Sequence, residues 1–207
     1  MDWITLLLVG CVVIYAFVKY AYPKRFQEFI MLPINNKYFL VHGKNDEIQH
    51  PFNVLLFAAQ VISVSLFIYL IIKLNNPEST KTNPWLFVQI CTAYTIFIFI
   101  KFSIEKIVAS VFSIDAIINN YLYQKLSYRN LLAVILFIVN LVFFYMVVPS
   151  FTGIAIFLGI ILVFNCIVLF YSYKTIGNLI LSNFFYFILY LCALEISPYI
   201  ILYKVLQ

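Results

Sequence analysis

The sequence predicts an all-α membrane protein, a bundle of about six transmembrane helices with an amphipathic helical segment on the cytoplasmic side. Three observations predict it. Apolar residues make up 65% of the 207 residues and charged residues only 10%, against roughly 25% charged in an ordinary soluble domain. The apolar residues gather into long runs, several close to the roughly 20 helical residues that a hydrocarbon core about 30 Å thick requires. Most of the basic residues fall in or beside alternate connections between those runs, as the positive-inside rule describes. A soluble fold of this size has too little interior to hide so much apolar surface, so lipid is the expected solvent.

The first run, Trp3–Tyr22, reads as a retained span, and a cleaved leader is not expected. Met1-Asp2-Trp3 lacks a basic n-region, and no small-x-small cleavage site follows. Lys19 near its end must snorkel to the surface. The remaining spans are Phe52–Leu74, Trp85–Phe102, Leu131–Val148, Gly153–Ser172 and Leu179–Leu202. Pro149 and Gly153 punctuate the short connection between the fourth and fifth, which makes them an antiparallel hairpin. The connections 23–51, 103–130 and 173–178, with Lys19 and Lys101 at the adjoining span ends, hold ten lysines and arginines, against three (Lys73, Lys81 and Lys204) on the other side. That bias makes these connections cytoplasmic and sends both termini outward. Trp85, Tyr199 and Tyr203 suit the outer aromatic belt. The net charge of +5 is thereby explained by topology, without nucleic acid as a partner.

The first long connection opens with Tyr22-Pro23-Lys24-Arg25-Phe26-Gln27-Glu28-Phe29-Ile30. Phe26, Phe29 and Ile30 share a helical face, which suggests a short helix in the inner headgroup layer with its basic residues on anionic lipid. Lys37 to His42 reads as extended, with Gly43 as a turn. His42, Asp46 and His50 are a weak metal candidate. They would share one face of a continuous helix, with Glu47 beside them, but Gly43, Asn45 and the proline after His50 oppose helix there. A solvated turn leading into the second span is the preferred reading, and no metal or cofactor is assigned.

The second long connection carries Ile104, Ile107, Val111, Phe112, Ile118 and Leu122 at spacings of three and four, the pattern of an amphipathic helix. It either continues the third span or lies along the membrane. A partner-docking surface is the functional reading, and an interfacial helix covering the bundle is the plainer and preferred one.

Within the spans, Glu195 stands out, because an ionised carboxylate in lipid needs a partner, a proton or a protected face. Pro198 removes a backbone hydrogen bond and crowds the carbonyl of Leu194, loosening the helix beside the acid. Counting about 1.5 Å per residue from the outer face places Gln89, Tyr94 and Lys73 within reach of that layer, and Lys101 roughly 24 Å down, out of reach. Structural anchoring is the preferred role for Glu195, with a proton or ion site as the functional one. Gln60, Asn140 and Asn165 at mid-span suit hydrogen bonding between helices. Cys11, Cys91, Cys166 and Cys192 sit singly within apolar runs, which suits packing and argues against disulfide or zinc chemistry.

Tyr22-Pro23-Lys24-Arg25-Phe26, the stretch from Tyr38 to Pro51, Lys101-Phe102-Ser103-Ile104-Glu105 and the tail Leu191-Cys192-Ala193-Leu194-Glu195-Ile196-Ser197-Pro198 together resemble a Bacteroidota membrane family, domain of unknown function 4271, over essentially the whole chain. The resemblance implies a bacterial inner-membrane protein of several helices, whose outward-facing termini are then expected on the periplasmic side, and supplies no catalytic residues. No phosphate-cradling loop, nucleophile–base pair or nucleic-acid motif is present. The expected function is therefore a non-enzymatic subunit or scaffold of an inner-membrane protein complex, tied to envelope processes such as protein export. Its expected partners are membrane lipids and other inner-membrane proteins. A small transporter or proton-coupled channel centred on Glu195 is the alternative.

Overall fold

In the computed structural model the described residues are 2–32, 38–39, 50–77, 83–111, 115–147, 150, 153–157 and 159–160. Five helices organise them: α1 (Asp2–Ala21), α2 (Pro23–Ile30), α3 (Pro51–Asn75), α4 (Leu86–Val111) and α5 (Asp115–Tyr145). Four of these, all but α2, are long and apolar enough to cross a membrane, with mean hydropathies between 1.7 and 2.5 over their most apolar windows. No strand occurs among the described residues.

Helix α3 is central. It packs against α1, α4 and α5, and 56% of its apolar window is buried, against 6% for α4. Its sequence explains the position, since Ala59, Ser63 and Ser65 are all buried and small residues let neighbouring backbones approach. The antiparallel order is visible at the end holding the starts of α1 and α4. There Trp3 packs edge-on to Tyr69 at 5.3 Å and lies 5.4 Å from Phe87. Tyr145 at the end of α5 donates to Thr5 Oγ1 at 2.6 Å.

Local chemistry sets the helix ends. Proline opens both α2 and α3, where the missing N–H has no intrahelical partner to lose. The α3 start is capped by His50, whose Nδ1 accepts from the Phe52 N–H at 3.2 Å. Asp115 in the first turn of α5 sits where the helix dipole favours a negative charge. Ser150 Oγ accepts from the Gly153 N–H at 3.1 Å, capping a helical segment over residues 153–157. From that segment Ile154 is buried against Phe67, Leu70 and Leu136, which sets it against α3 and α5.

Exposure runs opposite to that of a water-soluble protein. Leu6, Val13, Ile96, Phe99, Ile107 and Val111 are each more than half exposed, while Arg25, Gln60, Glu105, Asn130 and Asn140 are buried. Polar groups inside and apolar groups outside are what a lipid solvent selects.

Three sequence expectations are corrected in detail. The segment Ile104–Leu122 is shared between two helices, since α4 runs on from Leu86 to Val111 and α5 begins at Asp115. Its apolar positions do not form one face: Ile104, Ile107 and Val111 point outward, whereas Ile118 and Leu122 are buried, and Phe112 lies outside the described residues. Tyr38 and Phe39 are helical rather than extended, because packing of their rings against Phe29, Tyr123 and Tyr128 outweighs a weak local preference. Arg25 points into the bundle instead of the headgroup layer.

Candidate functional site

The polar and charged side chains gather at three levels. Seven of the eight described lysines and arginines lie at the end where α1 and α3 meet through α2, and only Lys73 lies at the other. That basic end contains two built arrangements.

The first surrounds Arg25. Helix α2 is short, and it places Phe26, Arg25 and Phe29 against α1, α3 and α5. The Arg25 guanidinium donates from Nη2 to the Tyr123 hydroxyl at 3.2 Å and lies 5.0 Å from the centre of the Phe52 ring. Tyr38 stacks on Tyr123 at 5.9 Å and 10°, and Phe29 meets both Tyr38 and Phe52 edge-on. A cation held among aromatic faces replaces part of its lost hydration by ring quadrupoles. The arrangement fastens the connection after α1 to α5.

The second lies between α4 and α5. Glu105 is 2% exposed and accepts from Lys125 Nζ at 2.9 Å. One turn along α4, Lys101, and one turn along α5, Arg129, join this pair around a cavity of about 40 Å³, which Phe102 and Leu122 help to wall. Beside it Lys106 donates to Asn119 Oδ1, and Lys125 also lies 5.4 Å from the Tyr121 ring centre. Of the charged residues lining the cavity, three are basic and one is acidic. This is the strongest concentration of charge among the described residues, and it forms because Glu105 and Lys101 share one face of α4 at i, i+4 while Lys125 and Arg129 do the same on α5.

The third level is neutral and lies midway along the helices. Gln60 Nε2 donates to the Tyr94 hydroxyl at 2.8 Å, joining α3 to α4. Asn140 Nδ2 donates to the Ser63 carbonyl at 2.8 Å, joining α5 to α3. Both amides therefore play the interhelical role that the sequence assigns them. Among the described residues, Gln60 Oε1, Asn140 Oδ1 and the Ser63 and Ser65 hydroxyls are buried without a hydrogen-bond partner.

The residues singled out from the sequence fare differently. Glu195, Pro198, Asn165, Cys166 and Cys192 lie outside the described residues, as do His42 and Asp46. Tyr94 is bonded to Gln60. Gln89 is exposed and accepts from Asn83 Nδ2 at 3.1 Å, and Lys73 is exposed at the end of α3. His50 serves as a helix cap, and its ring also meets Tyr22 edge-on at 5.2 Å. No group of three metal-ligating side chains comes together among the described residues. Cys11 is buried and Cys91 half-buried, both as free thiols.

Sequence reasoning missed both arrangements at the basic end. The i, i+4 pairs Lys101/Glu105 and Lys125/Arg129 were the available signal for the second. Nothing local signalled the first, because Tyr123 is 98 positions from Arg25.

Residues 4–206 match the family described as Domain of unknown function (DUF4271), and the chain belongs to that family. No curated protein and no solved structure matches it.

Proposed function

We propose that this family member is a non-enzymatic, multi-pass subunit or scaffold of a multi-protein complex in a bacterial inner membrane, serving an envelope process such as protein export. The observation that carries the reading is the uneven burial of the bundle. Helix α4 has the length and hydropathy of a span, yet only 6% of its apolar window is buried, and Ile96, Phe97, Phe99, Ile100, Ile104 and Ile107 are exposed along it. A helix so lightly covered by the other described helices offers a long apolar surface to lipid and to helices of other proteins. The interior favours the same reading. Its polar groups are spent on joining helices to one another, as in Gln60 to Tyr94 and Asn140 to Ser63.

The orientation follows from charge. With the basic end in the cytoplasm, Lys24 on α2 would meet the anionic leaflet, and the start of α1 would face the periplasm. Extraction of the native protein in a mild detergent, followed by native-gel and pull-down analysis, tests the function. A reproducible set of co-purifying membrane proteins, released when Ile100 and Ile107 are replaced by tryptophan, is the expected result. Recovery of monomer alone would refute the reading.

A further inference from the structure

We infer that a water molecule is bound midway along the bundle, where α1, α3 and α5 meet at Ser63, held by the Tyr15 and Ser63 hydroxyls and the Asn140 amide oxygen. The inference goes beyond the scaffold reading and does not depend on it.

Three observations carry it. The first is a set of neighbours that do not satisfy one another. Asn140 Nδ2 donates to the Ser63 carbonyl at 2.8 Å, which brings the amide head from α5 to this point of α3. The Cys11 thiol and the Tyr15 hydroxyl of α1 lie beside the Ser63 hydroxyl. The Tyr15 ring also meets Phe137 edge-on at 5.4 Å, one turn before Asn140 on α5. Ser63 and Asn140 are fully buried, yet Tyr15 Oη, Ser63 Oγ and Asn140 Oδ1 complete no hydrogen bond. Buried polar atoms are costly unless satisfied, and a hydrocarbon surround has no bulk water to satisfy them.

The second is the match of donors to acceptors. With Nδ2 directed at the Ser63 carbonyl, the Asn140 oxygen is left as an acceptor, and each hydroxyl has a proton to donate. A water that donates to Oδ1 and accepts from both hydroxyls satisfies all three at once, with the roughly three hydrogen bonds typical of a buried water. A further acceptor lies one turn back along α3, since Gln60 directs Nε2 at Tyr94 and leaves Oε1 unfilled. The third is charge. Ser63 sits about 18 Å along α3 from Pro51, and none of the groups around it is charged. A metal cation would meet only neutral oxygens there, in a medium where uncompensated charge is costly. Water fits the same oxygens without that cost.

The isotope-labelled full chain is reconstituted in phosphatidylcholine bilayers, and magnetisation transfer from water to side chains is followed by solid-state NMR. The methyl groups of Leu66, fully buried in the same bundle, give the dry reference. The expected result is a several-fold faster build-up at the Asn140 side-chain amide than at Leu66. Build-up at Asn140 no faster than at Leu66 in the wild-type chain would overturn the inference without recourse to any variant. Ser63→Val removes one hydroxyl and puts a methyl group in its place, and should bring the Asn140 rate down to that of Leu66. An unchanged rate in that variant would place the water elsewhere and overturn the site. Ser103→Val, at an exposed position of α4, should leave the rate as it is; an equal loss from both variants would show a general change in hydration and would also overturn it. Unfolding is compared in sodium chloride and in N-methylglucamine chloride at equal ionic strength. Equal unfolding temperatures are expected, and a rise specific to sodium would assign these oxygens to a cation instead of water.

Discussion

Replacing Arg25 by methionine removes the guanidinium while keeping most of the side-chain volume, so the change isolates what the charge contributes to the basic end of the bundle. The cation is 7% exposed, donates to the Tyr123 hydroxyl at 3.2 Å and sits 5.0 Å from the Phe52 ring centre. A hydrogen bond from a charged donor contributes about 1.5–3 kcal/mol, and the 3.2 Å separation argues for the lower figure. The partly desolvated cation–π contact adds about 1 kcal/mol. Arg25→Met is therefore expected to destabilise the fold by roughly 2.5 kcal/mol. Tyr123→Phe deletes the acceptor alone and should show a coupling with Arg25→Met of about 1.5 kcal/mol in a double-mutant cycle. Unfolding in mixed micelles of a mild detergent and dodecyl sulfate, followed by circular dichroism, measures all four proteins. The reasoning is refuted if Arg25→Met lies within about 0.5 kcal/mol of wild type, or if the two changes add within about 0.5 kcal/mol, the tolerance of independent sites.

Three further outcomes are expected. Ile96→Arg, at a position 57% exposed about 15 Å along α4 from its start, should impair membrane insertion by about 2.5–3.5 kcal/mol in a glycosylation-based insertion assay; unimpaired insertion would mean that this face does not meet lipid. Tyr94→Phe should lower stability by about 1 kcal/mol by leaving the Gln60 amide without that acceptor, and adding Gln60→Leu should restore most of it, since removing both partners is nearly neutral. His50→Ala should destabilise the start of α3 by about 1 kcal/mol, and His50→Asn should not, as hydrogen exchange at the Phe52 amide would report.

Much of the fold is legible in one dimension. A run such as Phe52–Leu74 declares itself because lipid demands apolar residues on every side of the helix, and that demand needs no knowledge of neighbours. The mid-span amides were legible for a related reason: a polar group in an apolar run has few options besides another helix, and Gln60 and Asn140 took that one. The inner end was harder. Local spacing put Phe26, Phe29 and Ile30 on one face of α2, but Ile30 is exposed and Arg25 is buried, because its aromatic surroundings come from residues far along the chain. The Ile104–Leu122 pattern satisfied helical periodicity while crossing from one helix into the next, since periodicity records spacing and carries no information about a break between α4 and α5. In a protein whose outside is apolar, a lone acid among basic neighbours is better read as an inward group with a cation to meet, as Lys125 shows.

The central place of α3 has a consequence for how the chain is put together during synthesis. As the second long helix to emerge, α3 finds α1 already present and offers both later helices a surface already in place. Helix α5 can settle onto α3 whether or not α4 has found its final register, because the α3–α5 and α1–α5 contacts bypass α4. A bundle built in this order closes around its second member.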